Sequence, residues 1–177
     1  MADKHTLPEG VSQAVILPDV LRPGLQIVFC GTAASDASAA AGAYYAGPGN
    51  AFWPTLYAVG FTPRLLAPAE FRLLPAFGLG LTDLAKFEAG VDSRLSAGAF
   101  DADALQDKIV RFRPAVVAFT SKTAARAYYG RRVDYGWQPS GIGPARGYVL
   151  PSPSGAARRY WDVVWWQALA DAFRRSR

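Results

Sequence analysis

One stretch of sequence decides the fold: LQIVFC (residues 25–30), followed directly by GTAAS (residues 31–35). The first part is apolar and partly β-branched, and the turn pair Pro23-Gly24 precedes it, so it predicts a buried strand. The second part consists of small residues, which let a ligand approach the backbone closely. It carries neither the glycines and lysine of a phosphate-binding loop nor the glycines of a dinucleotide fingerprint. The stretch therefore predicts a core strand that ends at a ligand-accessible loop of another kind.

Strands and helices alternate outward from this stretch. The apolar runs at residues 115–119 and 148–150 predict two more buried strands, and the Gly-rich run at residues 78–84 predicts a strand-like segment that ends near an acid. Helices are predicted from Asn50 to Gly60, from Pro68 through Leu74, from Asp101 to Arg113, from Ser121 through Tyr128, and from about Asp162. This alternation indicates an α/β fold with a mostly parallel sheet covered by helices on both faces.

Length and composition favour one soluble domain. The chain has 177 residues, 51% of them hydrophobic, which is enough for a single core and leaves little room for a second domain. We expect a tail or loosely docked lead-in at residues 1–20 and a single domain at residues 21–177. No apolar run is long enough to span a bilayer and no secretory signal is evident, so a cytoplasmic protein without a membrane partner is expected.

The single cysteine, Cys30, and the single histidine, His5, exclude several kinds of site. One cysteine cannot form an intramolecular disulfide, and the pair provides no ligand set for a Cys/His zinc site or an iron–sulfur cluster. We therefore expect no metal and no cofactor.

The charge of the chain is strongly polarised. Up to Asp107 there are 6 Lys and Arg against 11 Asp and Glu, whereas from Lys108 onward there are 13 against 3. A basic second half is typical of a surface that binds a polyanion such as nucleic acid. A solvated basic face without a partner is the alternative that charge alone leaves open.

Three separated motifs carry a resemblance to a known family. VFCG (residues 28–31) ends the first strand, PGNAFW (residues 48–53) follows the tyrosine pair Tyr44-Tyr45, and LPSPSGAAR (residues 150–158) ends the last strand. Their order and spacing, over residues 21–158, resemble the mismatch-specific uracil-DNA and thymine-DNA glycosylases of the uracil-DNA glycosylase superfamily. The resemblance implies a three-layer α/β/α sandwich and an enzyme that flips a base out of DNA and hydrolyses its N-glycosidic bond.

The resemblance also implies roles for particular positions. Tyr45 matches the aromatic residue that stacks on the flipped base, and Ser152 stands where the family usually has an asparagine that holds the nucleotide. The remaining positions implied for the base pocket are Gly31, Thr32 and Ala33. Those implied for the loop that enters the duplex are Ser154, Gly155, Ala156, Ala157 and Arg158. Independently of the resemblance, Arg159, Lys122 and Arg126 are basic residues placed to meet phosphates.

The chain departs from the family pattern at the residue that positions the attacking water. The family loop reads G-I-N-P-G, and Ala33 stands in place of its asparagine. A carboxylate near the sugar can replace that function by stabilising an oxocarbenium-like transition state and activating water. Asp83 is the preferred candidate because it follows a Gly-rich segment at the expected carboxyl edge of the sheet. Asp36, in the first loop, is the competitor, and a chain in which neither residue is catalytic stays open.

The sequence thus supports a monofunctional DNA glycosylase acting as a monomer on uracil-containing, mismatched or single-stranded DNA. A lysine-dependent lyase step is not expected, since no lysine occupies an evident pocket position. The alternatives are a non-catalytic protein that binds uracil-DNA or abasic DNA and, less favoured, an enzyme acting on free nucleosides.

Overall fold

One sheet organises the molecule and places the ends of its parallel strands together. The computed structural model describes residues 13–175, so residues 1–12 of the predicted tail, including His5, lie outside the described residues. Within the described range the strands are β1 (Ile27–Ala34), β2 (Leu79–Ala89), β3 (Val116–Phe119), β4 (Gly136–Trp137) and β5 (Arg146–Val149). Their order in the sheet is β2-β1-β3-β5-β4, with β1, β2, β3 and β5 parallel and β4 antiparallel to β5.

The connecting segments are mostly helical. The α-helices of the described range are α1 (Asp36–Ala41), α2 (Phe52–Ala58), α3 (Ala102–Phe112), α4 (Lys122–Tyr129) and α5 (Val163–Arg175). Segments of 3₁₀ helix cover Pro68–Phe77, Asp92–Arg94 and Gly155–Tyr160. Two helices begin at the predicted caps: the Asp101 carboxylate accepts from the Ala104 N–H at 2.8 Å and the Ser121 hydroxyl from the Ala124 N–H at 3.0 Å.

The core lies on both faces of the sheet, as an α/β fold requires. One cluster joins Phe29 of β1 to Phe52 of α2 and Trp166 of α5. The other joins Phe119 of β3 to Ile109 of α3 and to the alanines of α4. The predicted α/β fold with a mostly parallel sheet covered on both faces is confirmed.

The structure extends several predicted elements. The strand predicted at residues 25–30 begins two residues later, at Ile27, and ends four residues later, because β1 continues through the small residues to Ala34. The remainder of what looked like a long loop contains α1. Asn50 was expected to cap the second helix; its side chain does accept from the Phe52 N–H at 3.0 Å, but the residue at the cap itself is Ala51.

The lead-in is also more closely packed than expected where it is described. Val20 pairs with Leu81 of β2, and the Ile16 N–H donates to the Lys86 carbonyl at 2.8 Å. Leu17 is buried in the core. Residues 13–20 therefore cover the outer edge of β2, where unpaired backbone groups would otherwise face solvent.

Candidate active site

A cleft of about 710 Å³ opens at the carboxyl ends of the parallel strands. Ligands bind at this edge in open α/β sheets, because the loops that leave the strands converge there. The loop after β5 is tied to the segment before α2, since the Ala51 N–H donates to the Pro153 carbonyl at 2.8 Å. The cleft is lined by the end of β1 and the start of α1, by Asp83 of β2, by the start of α4, and by several residues of the segment 152–160.

Asp83 lies at the floor of this cleft. It sits on β2 opposite Gly31 of β1, and its side chain is among the few buried charged groups of the described chain. Burial of the carboxyl group raises the pKa of Asp83 from an ordinary value of 3.8 to about 6, opposed by the charge of Lys86. A carboxyl group with that pKa is ionised at neutral pH yet basic enough to accept a proton, as a general base requires.

The absence of a side chain at Gly31 lets the Asp83 carboxylate lie close to the backbone of β1. A β-carbon at this position would lie 2.6 Å from Asp83 Oδ1, 3.4 Å from the Tyr45 hydroxyl and 3.6 Å from Thr120 Oγ1. The first of these distances is too short for any real contact. Three oxygen atoms from three different segments therefore converge on the space that a missing side chain leaves open.

Tyr45 is held firmly, with one ring face covered. Its ring stacks on Phe52 at a centroid distance of 3.9 Å and an interplanar angle of 18°, and its hydroxyl forms a 3.0 Å hydrogen bond with Thr120 Oγ1. The backbone φ of 53° is unusual for a residue with a side chain and is a costly conformation. Tyr45 also lines the cleft, so a flat ligand can stack on the ring from that side.

The neighbouring Tyr44 is not available for stacking. Although it adjoins Tyr45 in the chain, Tyr44 is buried and packs against Phe71. Its hydroxyl donates to the Pro18 carbonyl at 3.1 Å and accepts from Lys86 Nζ at 3.0 Å. Tyr44 thus anchors the loop from below while Tyr45 faces the cleft.

The last residues of β1 contribute backbone and small side chains to the cleft. Thr32 and Ala33 line it, and Ala33 brings no polar side-chain atom to the position where the resemblance expects an asparagine. The Thr32 hydroxyl donates to Asp92 Oδ1 at 2.6 Å, which ties the end of β1 to the segment after β2. Asp92 is a second carboxylate at the cleft, but unlike Asp83 it is exposed.

Asp36, the competing catalytic candidate, does not reach the cleft. It lies in the first turn of α1 with 67% of its side chain exposed, and it pairs with Arg94 at 2.5 Å. A surface ion pair of this kind contributes little to either stability or chemistry. The structure therefore gives no support to a catalytic role for Asp36.

The late loop is only partly in the cleft. Ser152, Ser154, Ala156 and Ala157 line it, whereas Gly155 and Arg158 do not. The side chain of Arg158 instead lies beside Gly49. Lys122, at the start of α4, is among the lining residues, and its Nζ lies 3.7 Å from the Asp134 carboxylate.

Several cleft residues were not found by sequence reasoning. Thr120 is the most important of them, because it is buried and its hydroxyl forms a hydrogen bond with the Tyr45 hydroxyl. It directly follows the apolar run at residues 115–119, and a polar residue at the end of a parallel strand is a usable signal. Tyr135 stands in a loop, and Asp92 and Tyr160 lie in short 3₁₀ segments without a periodic pattern, so their place at the cleft could not be predicted.

A charged network lies behind the cleft floor. Asp19 pairs with Lys86 at 2.8 Å and with Lys108 at 2.7 Å, and the Thr82 hydroxyl donates to it at 2.8 Å. Both lysines lower the pKa of Asp83 while Asp19 raises it. Two cations and one anion leave an excess positive charge, which favours the ionised form of Asp83.

No set of three His, Cys, Asp or Glu side chains among residues 13–175 is placed to hold a metal ion. No helix of the same range is long and apolar enough to cross a membrane.

Comparison with known proteins agrees with this architecture. The solution NMR structure of a putative uracil DNA glycosylase from Methanosarcina acetivorans has the same fold, with a TM-score of 0.58 and 24% sequence identity. The match covers 87% of this chain and 94% of that one. A family model described as the uracil DNA glycosylase superfamily matches residues 18–171, which include all five strands and every cleft residue except Leu17. The chain therefore belongs to the uracil DNA glycosylase superfamily.

Proposed function

We propose that the protein is a monofunctional DNA glycosylase that hydrolyses the N-glycosidic bond of uracil in DNA, with Asp83 as the catalytic carboxylate. The observation that carries the proposal is the position of Asp83: a buried carboxylate with a raised pKa, at the floor of a cleft that also contains an aromatic platform. Such a combination in a concave site is typical of catalytic groups.

The cleft suits a flipped pyrimidine nucleotide. The base stacks on the open face of Tyr45, whose other face is already covered by Phe52. The small residues Thr32 and Ala33 allow the backbone to approach the base edge closely. Taking the base out of the stack costs least where it is mismatched or unpaired, which favours such substrates.

Asp83 then has two roles in one step. As the bond between the sugar and the base breaks, its electron pair leaves with the base and positive charge develops on the sugar, which the carboxylate stabilises. Water attacks the anomeric carbon and transfers a proton to the carboxylate, which yields an abasic sugar. That proton then passes to the departed base anion, which gives the neutral free base and restores the Asp83 carboxylate. A unit charge at about 4 Å and an effective dielectric constant near 20 contributes on the order of 4 kcal/mol, or nearly three decades in rate.

The test is single-turnover excision on a uracil-containing oligonucleotide in excess EDTA. The wild type is expected to produce alkali-labile DNA, and Asp83→Asn to lose about a hundredfold to a thousandfold in rate. Asp36→Asn is the matched control, since this exposed aspartate lies outside the cleft, and it should retain the wild-type rate. Equal rates for wild type and Asp83→Asn would rule out the catalytic assignment.

A second function is favoured by Ala33. Because this residue lines the cleft without a polar side chain, the same pocket can hold uracil-DNA or abasic DNA without turning it over. The test is a gel-mobility shift assay beside the excision assay. Tight binding of uracil-containing DNA by the wild type, without any alkali-labile product, would establish this binding function in place of the enzyme.

Within the superfamily, we propose that the protein belongs with the mismatch-specific and thymine-DNA glycosylases and acts as a monomer. The support is the late motif LPSPSGAAR, whose residues Ser152, Ala156 and Ala157 line the cleft. Rates on a panel of bases opposite guanine, and in single strands, would define its substrates.

A further inference from the structure

We propose that one rim of the cleft binds unpaired nucleotides flanking the target base, so that single-stranded DNA is the preferred substrate. This aromatic–basic rim consists of Lys122, Arg126, Tyr135, Arg159 and Tyr160. The inference rests on the proposed function, which it deepens by naming the form of DNA that the site takes.

Tyr160 presents an aromatic ring at the mouth of the cleft. It ends the 3₁₀ helix Gly155–Tyr160, lines the cleft, and has 55% of its surface exposed. The Arg159 guanidinium lies 4.5 Å from the ring centroid and donates a hydrogen bond to the tyrosine hydroxyl. The ring is thus oriented by a cation while much of it stays open to solvent.

Tyr135 continues the rim. It lines the same cleft, and Lys122 Nζ lies 4.4 Å from its ring centroid. Burial raises the pKa of Tyr135, which Arg126 opposes and Tyr160 reinforces, so Arg126 and Tyr160 both lie within electrostatic range of Tyr135. On its inner side Tyr135 packs against Trp165 at a ring distance of 5.9 Å, which fixes its position.

The alternation of rings and cations suits a single strand. Proteins that bind single-stranded nucleic acid use aromatic side chains on which bases stack, together with cations that follow the phosphates. Both features face the cleft here. Within residues 13–175 the rim forms one ion pair, between Lys122 and the fully exposed Asp134 carboxylate.

The loop expected to enter a duplex argues in the same direction. Ala156, where a bulky residue would hold paired strands apart, ends in a single methyl group and is exposed. A small side chain gives little support to a flipped nucleotide in a duplex, where unstacking and unpairing must both be offset. In a single strand the second cost is absent, and stacking on the rim contributes directly.

The experiment measures affinity by fluorescence anisotropy for uracil-free DNA, so that it does not depend on excision. The probes are a short oligothymidylate, an oligomer of equal length made of abasic tetrahydrofuran nucleotides, and a duplex of the same length. The variants are Tyr160→Ala and Tyr160→Phe. Tyr57→Ala is the matched control, because Tyr57 is also half exposed but lies on α2 away from the cleft.

We expect tighter binding of oligothymidylate than of either other probe. Tyr160→Ala should weaken binding of oligothymidylate by about 5- to 150-fold, the range for loss of one base–aromatic stack, and change binding of the abasic oligomer little. Tyr160→Phe keeps the ring and should stay near the wild type, as should Tyr57→Ala. Lys122→Gln should reduce the slope of log affinity against log salt by about 0.7.

Two results would overturn the inference. One is a Tyr160→Ala protein that binds oligothymidylate as well as Tyr57→Ala does. The other is a loss of equal size on oligothymidylate, abasic oligomer and duplex, which would mean that Tyr160 supports the loop rather than stacking on bases. A protein that binds as expected but excises no uracil would refute the proposed enzyme while leaving the rim intact.

Discussion

Replacing Asp83 by asparagine should make the protein more stable while it removes activity. The carboxyl group has an ordinary pKa of 3.8 and a pKa of about 6 in the folded protein, because burial disfavours its charged form. Between these two values the folded protein binds a proton that the unfolded chain has released. The free energy of unfolding of the wild type therefore falls as pH rises through this window. Above the window the buried carboxylate is ionised and its whole destabilising effect is present.

The magnitude follows from the size of the shift. A difference of roughly two pH units corresponds to about 3 kcal/mol at 1.36 kcal/mol per unit. Asparagine cannot ionise and is nearly the same shape, so at pH 8 the variant should gain up to about 3 kcal/mol. In a domain of this length that gain corresponds to a rise in Tm of roughly 6–12 °C. Near pH 4 the gain should vanish.

The assay is a series of denaturant or thermal unfolding curves from about pH 4 to pH 8, run beside single-turnover excision for the same samples. Asp36→Asn serves as the control, since removing an exposed ion pair should change stability by less than about 1 kcal/mol. A stability difference between Asp83→Asn and wild type that does not grow with pH, or a variant less stable at pH 8, would show that the Asp83 charge is not buried at a cost.

Other changes at the cleft have equally definite outcomes. Gly31→Ala should reduce single-turnover excision strongly, since its methyl group would meet Asp83 Oδ1 at 2.6 Å; an unimpaired variant would show that the geometry of the floor is not critical. Lys86→Met removes a positive charge that lowers the pKa of Asp83, so the acid limb of the pH–rate profile should move to higher pH, and an unmoved limb would exclude this coupling. Tyr45→Phe loses the hydrogen bond to Thr120 but keeps the ring; it should slow excision by about tenfold or less, whereas a loss as large as that of Asp83→Asn would give the hydroxyl a catalytic role. Excess EDTA should leave the excision rate unchanged; inhibition would refute a mechanism based on Asp83 and water alone.

The strands and caps were predictable because their signals are local. A buried strand such as β3 is a short apolar run bounded by turn residues, and the caps Asp101 and Ser121 act on backbone groups only three residues away. The short antiparallel strand β4 was missed, because two residues are too few to show the alternation of apolar and polar side chains that predicts a strand.

The candidate site was predictable in part. Asp83 was selected because a residue at the carboxyl edge of a parallel sheet faces the ligand, and the structure places it at the floor of the cleft. Asp36 was the competing candidate from the first loop, but it lies in the first turn of α1 and pairs with Arg94 at the surface. The difference between the two acids lies in the direction of their side chains, which the sequence does not specify.

The sequence by itself determined the α/β alternation, the polarised charge and the three motifs that indicate the superfamily. These follow from local patterns of apolar, small and charged residues. Only the tertiary structure brought Asp83, Tyr45 and Thr120 around the missing side chain of Gly31, from positions up to 89 residues apart. It also decided that Asp83 is buried and that its pKa is raised, because desolvation depends on everything packed around a group rather than on its neighbours in the chain.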